Sequence, residues 1–317
     1  MTSRYPSTML SVRLLIGKVQ RRLERSAHVF VFLAPATLIY TLFMIYPLID
    51  SLRLSLYNTG LDFKEHFVGL ENYQKLFTNE NYAPQLWNAT RNNLSFFAIH
   101  MLVQNPVGLL LAVLLNSRIR GSAIYRTLIF TPAILSVVIV GFAWRMILSP
   151  LWGISGSIPI LNLMNLGVPP NALITVSLIS VWQNVGIPMM LFLASLVRIP
   201  EELLEAARTD GANAWIVFWK IQFPLLLPTV GIVAVLTFVG NFNAFDLVYS
   251  SQGAIAGPDY STDLLGTLFY RTFFGFQLQS GNPYMGATVA AVMLLFILIG
   301  VLMYLFAWSR RVQQVEL

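Results

Sequence analysis

The sequence has no cysteine and few charged residues, and each shortage excludes classes of protein. Without cysteine the 317-residue chain has no disulfide framework, no thiolate metal site and no cysteine nucleophile. Charged residues make up only 11% of it and hydrophobic residues 56%. Because soluble domains carry about 25% charged residues, the composition excludes a soluble globule. The net charge of +6 therefore indicates orientation in a membrane rather than nucleic-acid binding.

Long uncharged runs predict an all-α, polytopic membrane protein with six spanning helices. A helix needs about 20 residues to cross a hydrocarbon core of ~30 Å. Runs too long for one crossing are shortened where Gly, Pro and polar residues interrupt them. The predicted spans cover about residues 29–49, 93–116, 127–148, 172–196, 223–247 and 287–307.

The basic residues fix the predicted orientation. Fourteen of the twenty Lys and Arg lie before the first span, in alternate connections, and after the last span. By the positive-inside rule both termini are cytoplasmic, which agrees with an even number of spans. The predicted organisation is a cytoplasmic segment, 1–28, a membrane domain, 29–309, with a cytoplasmic loop, 198–222, and a tail, 310–317.

The loop 198–222 has the pattern of two helices rather than of a linker. Pro200 and the two glutamates after it form a good helix start, because proline fixes the backbone angle and the carboxylates face the positive end of the helix dipole. Asp210-Gly211 ends that helix, since glycine takes the left-handed conformation readily. A second helix is predicted over 212–222.

One face of the first predicted helix has the features of a docking surface. Ala206 and Ala207 are small enough to let a partner approach the backbone closely. Glu205 beside them could pair with a basic group of that partner. An ordinary solvated helix charge is the alternative for Glu205.

Polar side chains within the fourth and fifth spans are candidates for a solute site. Such groups are costly in a membrane unless they face the bundle interior or a wet cavity. They are Ser180, Gln183 and Asn184 around Trp182, and Thr237, Asn241 and Asn243. Amides and hydroxyls beside an aromatic ring suit sugar hydroxyls. The alternative is hydrogen bonding between helices, worth about 0.6 kcal/mol apiece.

Several segments together resemble a known family. The loop carries Glu205-Ala206-Ala207, Asp210-Gly211-Ala212, Phe218, Ile221 and Pro224, and matching stretches begin at Tyr46, Phe67, Tyr125 and Asn243. This pattern is similar to the EAA loop and flanking segments of ABC importer permeases. Within that family, the segments resemble carbohydrate importers of the maltose and glycerol-phosphate permease type.

The resemblance implies the type I ABC importer permease fold and a set of partners. These are a second permease subunit, two ATPase subunits, an extracytoplasmic solute-binding protein and membrane lipid, in a bacterial or archaeal cytoplasmic membrane. The chain has no phosphate-binding loop, so no cofactor is expected on it, and ATP and Mg would bind the ATPases. The coupling residues implied are Glu205, Ala206, Ala207, Asp210 and Gly211.

The resemblance also implies positions that line the solute path, for a sugar or a related polyol. They are Ser180, Gln183, Asn184, Ile187, Thr237, Asn241 and Ala244. The corresponding third-span positions, Ala133 and Val137, are apolar here, so a site identical to the maltose site is not expected. The identity of the solute stays open.

Other functions have weaker support in the sequence. An ion-coupled secondary transporter is the main alternative, but spans 1–4 and 6 contain no convincing carboxylate. Asp246, at the end of the fifth span, is expected to pair locally or to lie at a wet mouth. His28, His66 and His100 share no metal-ligand spacing, and no catalytic residues are predicted.

Overall fold

The computed structural model describes residues 29, 31–60, 64–117, 120–149, 153, 158, 161, 164–277 and 279–312. The predicted N-terminal segment 1–28 and the last five residues of the predicted tail lie outside that set. The chain divides into two units, residues 1–53 and 54–317. Helix α1, Val31–Leu54, occupies the first unit and ends at the boundary. Its 24 residues give a length of about 36 Å, enough to cross a hydrocarbon core.

The described residues of the second unit form mainly helices, with two short antiparallel hairpins. Its helices are α2 Glu71–Thr78, α3 Ala83–Asn116, α4 Ser122–Ile134, α5 Val137–Ile147, α6 Pro169–Asn184, α7 Gly186–Leu196, α8 Glu201–Thr209, α9 Ala214–Phe242, α10 Asp246–Gln252, α11 Leu265–Phe274 and α12 Pro283–Val312. Strands β1 Tyr57–Thr59 and β2 Glu65–Phe67 pair with Tyr57 opposite Phe67, and β3 Gly275–Phe276 pairs with β4 Gln279–Ser280.

The described residues form six candidate spans when each bent pair of helices is counted as one. Helices α1, α3, α9 and α12 are each long and apolar enough to cross a membrane. The predicted single helices over 127–148 and 172–196 are wrong as continuous helices: α4 and α5 meet at 93°, and α6 and α7 meet at 42°. Residues 135 and 136 are extended between α4 and α5. Between α6 and α7, Pro188 has no N–H to donate to the carbonyl of Asn184.

The helix ends also differ from the predicted span limits. Helix α3 begins ten residues before position 93, α9 begins at Ala214 and ends at Phe242, and α12 extends to Val312, into the predicted tail. The prediction stopped at charged residues such as Arg91 and Lys220. These charges lie inside helices whose ends extend beyond the uncharged segment.

Proline explains three π-helical turns. The turns are Thr41–Ile45 in α1, His100–Gln104 in α3 and Phe218–Gln222 in α9. Each ends two residues before a proline: Pro47, Pro106 and Pro224. Because proline cannot donate a backbone hydrogen bond, the regular ladder is already broken there, and a wider turn satisfies the remaining groups.

Helix α3 takes part in three apolar clusters formed by described residues of the second unit. Its first turns contribute Leu86 and Ala89 to a cluster with α11 and α12. Phe96 joins a cluster with α6 and α10, and Ala112 joins one with α7 and α9. Burial along the whole length of α3 makes it the central helix of this unit.

Two glycines let helices approach closely around α7. A Cβ at Gly108 of α3 would lie 3.1 Å from the backbone nitrogen of Met189, and one at Gly186 would lie 2.8 Å from the Cα of Phe130 in α4. Small residues serve this purpose in membrane bundles, where the gain comes from close van der Waals contact.

A buried ion pair joins α11 to the preceding loop. Arg271 Nη2 lies 2.7 Å from Asp263 Oδ2, and their side chains are 2% and 0% exposed. The arginine also donates to the carbonyl of Ala254, and Thr267 donates to Asp263 Oδ1. Burial raises the pKa of the Asp263 carboxyl, while Arg271 and then Thr267 oppose that change. Removing one partner should therefore destabilise the fold, because the other charge would be left buried and uncompensated.

Replacing Arg271 by methionine leaves this carboxyl buried without its cation. We expect Arg271→Met to lower the free energy of unfolding at pH 7 by about 3–5 kcal/mol. The loss should shrink as the pH falls, because a buried carboxyl with a raised pKa is relieved by protonation. Chemical denaturation in detergent at several pH values measures both effects.

Lys75→Met is the matched control, because it breaks the exposed pair of Lys75 and Glu71 at 2.6 Å. Exposed pairs contribute little, so this variant should unfold close to the parent. Equal destabilisation by the two substitutions would contradict the role given to the buried pair.

Candidate functional site

The loop between α7 and α9 has a defined backbone. Helix α8 starts directly after Pro200 and carries Glu201 and Glu202 in its first turn, as predicted. Gly211 ends the turn with φ of +84°, and nothing lies within 4 Å of where its Cβ would be. Glycine is therefore required there by the backbone angle and not by crowding. Asn213 then caps α9 by accepting from the N–H of Ile216 at 2.9 Å.

The second predicted helix of the loop, 212–222, is not separate. It is the beginning of α9, which starts at Ala214 and continues through a π-helical turn into the span. The predicted boundary between the helix 212–222 and the span 223–247 does not exist, since Pro224 is tolerated next to a turn whose hydrogen bonds are already shifted. Trp215 and Trp219 are exposed there with rings 5.6 Å apart, a typical marker of the membrane–water interface.

The loop borders a crevice of about 820 Å³. Glu201, Glu205 and Arg208 of α8 line one side, and Asn116 of α3 and Leu196 of α7 line the other. Glu205, Ala206, Asp210 and Gly211 are exposed, and Ala207 is half-buried. The face predicted for docking is therefore accessible and contains a carboxylate beside two small side chains.

A second concavity, of about 450 Å³, lies among α3, α6, α7, α9 and α10. All seven predicted solute-path residues line it: Ser180, Gln183, Asn184, Ile187, Thr237, Asn241 and Ala244. Positions up to 64 residues apart in the chain thus meet at one cavity because α6–α7 and α9–α10 both border it. We call it the membrane cavity.

Most polar groups of the membrane cavity already have protein partners. His100 donates from Nδ1 to the carbonyl of Phe96 at 2.8 Å, and its Nε2 lies 2.9 Å from the Ser180 hydroxyl. Thr237 pairs with Asn105 on α3 at 3.2 Å. Asn184 and Asn241 donate to carbonyls four residues earlier. These bonds agree in part with the alternative interpretation, in which the polar groups are hydrogen-bonding links within the bundle.

Two sequence-based expectations need correction at this site. Trp182 does not line the membrane cavity; it is 44% exposed and packs against Trp144 with ring centroids 5.6 Å apart. Residues 180, 183 and 184 share a helix face, and the 100° step per residue turns 182 away from it. Of the two apolar third-span positions, Val137 lines the cavity and Ala133 does not.

Sequence reasoning missed His100 and Gln104, which α3 contributes to the cavity. The available signals were Pro106, which marks an irregular turn, and two polar residues four positions apart on one face. Asp246 also lines the cavity and is exposed, as expected for a wet mouth. Within the described ranges, no group of three His, Asp or Glu side chains is placed to hold a metal ion.

Comparisons with known proteins agree with this architecture. The sequence profile of the family described as "Binding-protein-dependent transport system inner membrane component" matches residues 104–312. The multiple sugar-binding transport system permease protein MsmF of Streptococcus mutans is 31% identical, over 85% of this chain and 90% of that protein. The lactose transport system permease protein LacF of Rhizobium radiobacter is 29% identical, over 89% and 93%.

A solved structure shares the fold. A chain of a bacterial ABC transporter involved in the import of the acidic polysaccharide alginate superposes with a TM-score of 0.74 at 23% identity, over 92% of this chain and 99% of that one. The helices and the cavity define a multi-pass membrane permease. The chain belongs to the family of binding-protein-dependent transport system inner membrane components, and it is a transport subunit rather than an enzyme.

The absence of cysteine makes water access to the cavity directly testable. Gly240 lines the cavity with free space around it, so we expect Gly240→Cys to react with a water-soluble maleimide in membranes. Ile232→Cys, on the same helix, is the control, because Ile232 is 54% exposed but lines neither cavity nor crevice. Labelling both positions at equal rates would rule out a water-filled cavity; mass spectrometry of the intact chain measures the rates.

Proposed function

We propose that this chain forms half of the translocation pore of an ATP-driven importer for a sugar or a related polyol. The main support is that all seven implied solute-path residues line the membrane cavity. Five of these residues were named from their polarity within apolar spans as well as from the resemblance, and Ile187 and Ala244 from the resemblance alone. Hydroxyl and amide groups at the cavity provide both donors and acceptors for a polyhydroxylated solute.

The solute class is supported by what related permeases are named for. Besides the multiple-sugar and lactose permeases, relatives include an alpha-glucoside permease of Rhizobium meliloti, 30% identical, and an arabinooligosaccharide permease of Bacillus subtilis, 30% identical. Each matches at least 87% of this chain, as does the lactose permease. A carbohydrate is the solute class that these proteins share.

Partners follow from the same proposal. A second permease subunit completes the pore, two ATPase subunits bind ATP and Mg and dock on the cytoplasmic loops, and a solute-binding protein delivers the sugar from outside. Both termini then lie in the cytoplasm of a bacterium or archaeon. The exposed face of α8, with Glu205, Ala206 and Ala207, is the proposed ATPase contact, and Asp210-Gly211 sets the angle of that contact.

The test is transport by a reconstituted complex. The two permeases and the ATPase are placed in proteoliposomes with the binding protein outside and ATP inside, and uptake of radiolabelled lactose, raffinose and arabinobiose is measured. We expect uptake of one of them to depend on enclosed ATP and to be unaffected by ionophores. Uptake driven by a proton or sodium gradient without ATPase would instead establish the ion-coupled alternative.

Glu205→Lys should prevent coupling without affecting membrane insertion. Reversing this charge at the accessible face of α8 removes an anionic partner for a basic group on the ATPase. We expect loss of ATPase co-purification and at least a tenfold fall in uptake. Co-purification and uptake are measured with the same preparation.

Glu202→Lys is the matched control, because Glu202 is exposed on the same helix but does not line the crevice. It should retain the ATPase. Normal docking of the Glu205→Lys complex would remove the coupling assignment.

A further inference from the structure

Gln104 stands out among the buried polar side chains of the membrane cavity. It lies in the π-helical turn of α3, is 6% exposed and lines the cavity. Its Oε1 has no hydrogen-bond partner among the described residues, whereas His100 and Asn105 beside it are both paired. A buried acceptor left unpaired is unfavourable unless a ligand or water donates to it. π-helical turns often occur at functional sites.

Gln183 presents the same chemistry from α6. Its Nε2 donates to the carbonyl of Leu135 at 3.1 Å, so the orientation of the amide is fixed by a partner that can only accept. Its Oε1 is therefore the free end, and it is buried without a partner in the described structure. The side chain is 1% exposed. Two buried acceptors thus line the same cavity from different helices.

Charge in the described lining of the membrane cavity is negative. Among the described residues that border the cavity, Asp246 supplies a carboxylate and no lysine or arginine is present. Both ring nitrogens of His100 are already engaged. Two like charges 4 Å apart repel each other by about 1 kcal/mol even in water. A solute bearing a carboxylate or phosphate would therefore meet a negative group and acceptors without a compensating cation.

We propose that Gln104 is a further solute-binding residue and that the membrane cavity selects uncharged polyhydroxylated solutes over anionic ones. Hydroxyl groups of the solute donate to Oε1 of Gln104 and Gln183, while Asp246 disfavours carboxylates and phosphates. The inference rests on the proposed import function and names its solute class more closely. The shared fold does not set this property, since the solved transporter of the same fold imports an acidic polysaccharide.

Charge selectivity is tested without knowing the solute. Gly240→Cys in the intact complex is treated with a cationic and with an anionic methanethiosulfonate of similar size, and each rate is divided by that of a small free thiol. We expect the cationic reagent to react about tenfold faster, and Asp246→Asn to reduce this preference at least threefold. Asp259→Asn, an exposed carboxylate outside the cavity, should leave it unchanged. No cationic preference, or one insensitive to Asp246→Asn, would overturn the selectivity.

The role of Gln104 is tested with the uncharged sugar that the complex takes up best and its monodeoxy analogues. In the parent, we expect removal of one hydroxyl to raise the KM of uptake about fivefold. Gln104→Leu should raise the KM of the intact sugar similarly and abolish the penalty for that one analogue. A merely structural role would weaken all analogues alike and would refute the assignment. Gln74→Leu, on the exposed face of α2, is the matched control.

The two proposals fail in different ways. Uptake of only the sugar acid, in which the primary hydroxyl is oxidised to a carboxylate, leaves an ATP-driven importer but overturns the solute class inferred here. Absence of ATP-dependent uptake of every carbohydrate refutes the proposed function and this inference with it.

Discussion

Close contact between α3, α7 and α4 organises the second unit. At Gly108 and Gly186 the neighbouring helix lies so close that a larger side chain would contact its backbone. Association in a membrane gains little from burying apolar surface, so close packing must supply much of the stability. These contacts hold α7 between two neighbours. The position of α7 in turn sets one wall of the membrane cavity.

Irregular backbone occurs where the cavity is. The break between α6 and α7 falls at Val185, between the lining residues Asn184 and Ile187. The break between α9 and α10 falls at residues 243–245, which also line the cavity. Within a membrane, free backbone groups are tolerated where they are buried in protein or line a wet space. The interrupted backbone at these two breaks therefore forms part of the cavity wall.

Local signals predicted the loop well and the third span poorly. Pro200, its following glutamates and Gly211 act through their own backbone angles and charges, so one sequence sufficed to place α8. The 93° bend after α4 depends on packing between distant helices, with Leu135 fixed by Gln183, and uncharged residues 127–144 contain no sign of it apart from Pro132.

The residues of the membrane cavity also differ in whether local signals could predict them. Polar groups in the fourth and fifth spans were found because they are rare in apolar helices. Gln104 was missed because its significance depends on what surrounds it: an identical amide with a partner would be a structural link. Trp182 was misplaced because proximity in sequence was taken for a shared face, which a helical step of 100° contradicts.

The loop and the membrane cavity are joined by helices at both ends of the loop. Helix α7, which precedes it, carries Ile187 and Leu191 into the cavity lining. Helix α9, which follows it, runs from Ala214 to Asn241 at the cavity, about 40 Å away. Because α9 is one helix over this distance, interrupted only by its π-helical turn and the interior Pro228, a force on the loop would reach the cavity wall through the backbone rather than through a chain of side chains. A partner that pulled on α8 would therefore change the cavity directly, which is the kind of motion that alternating access requires.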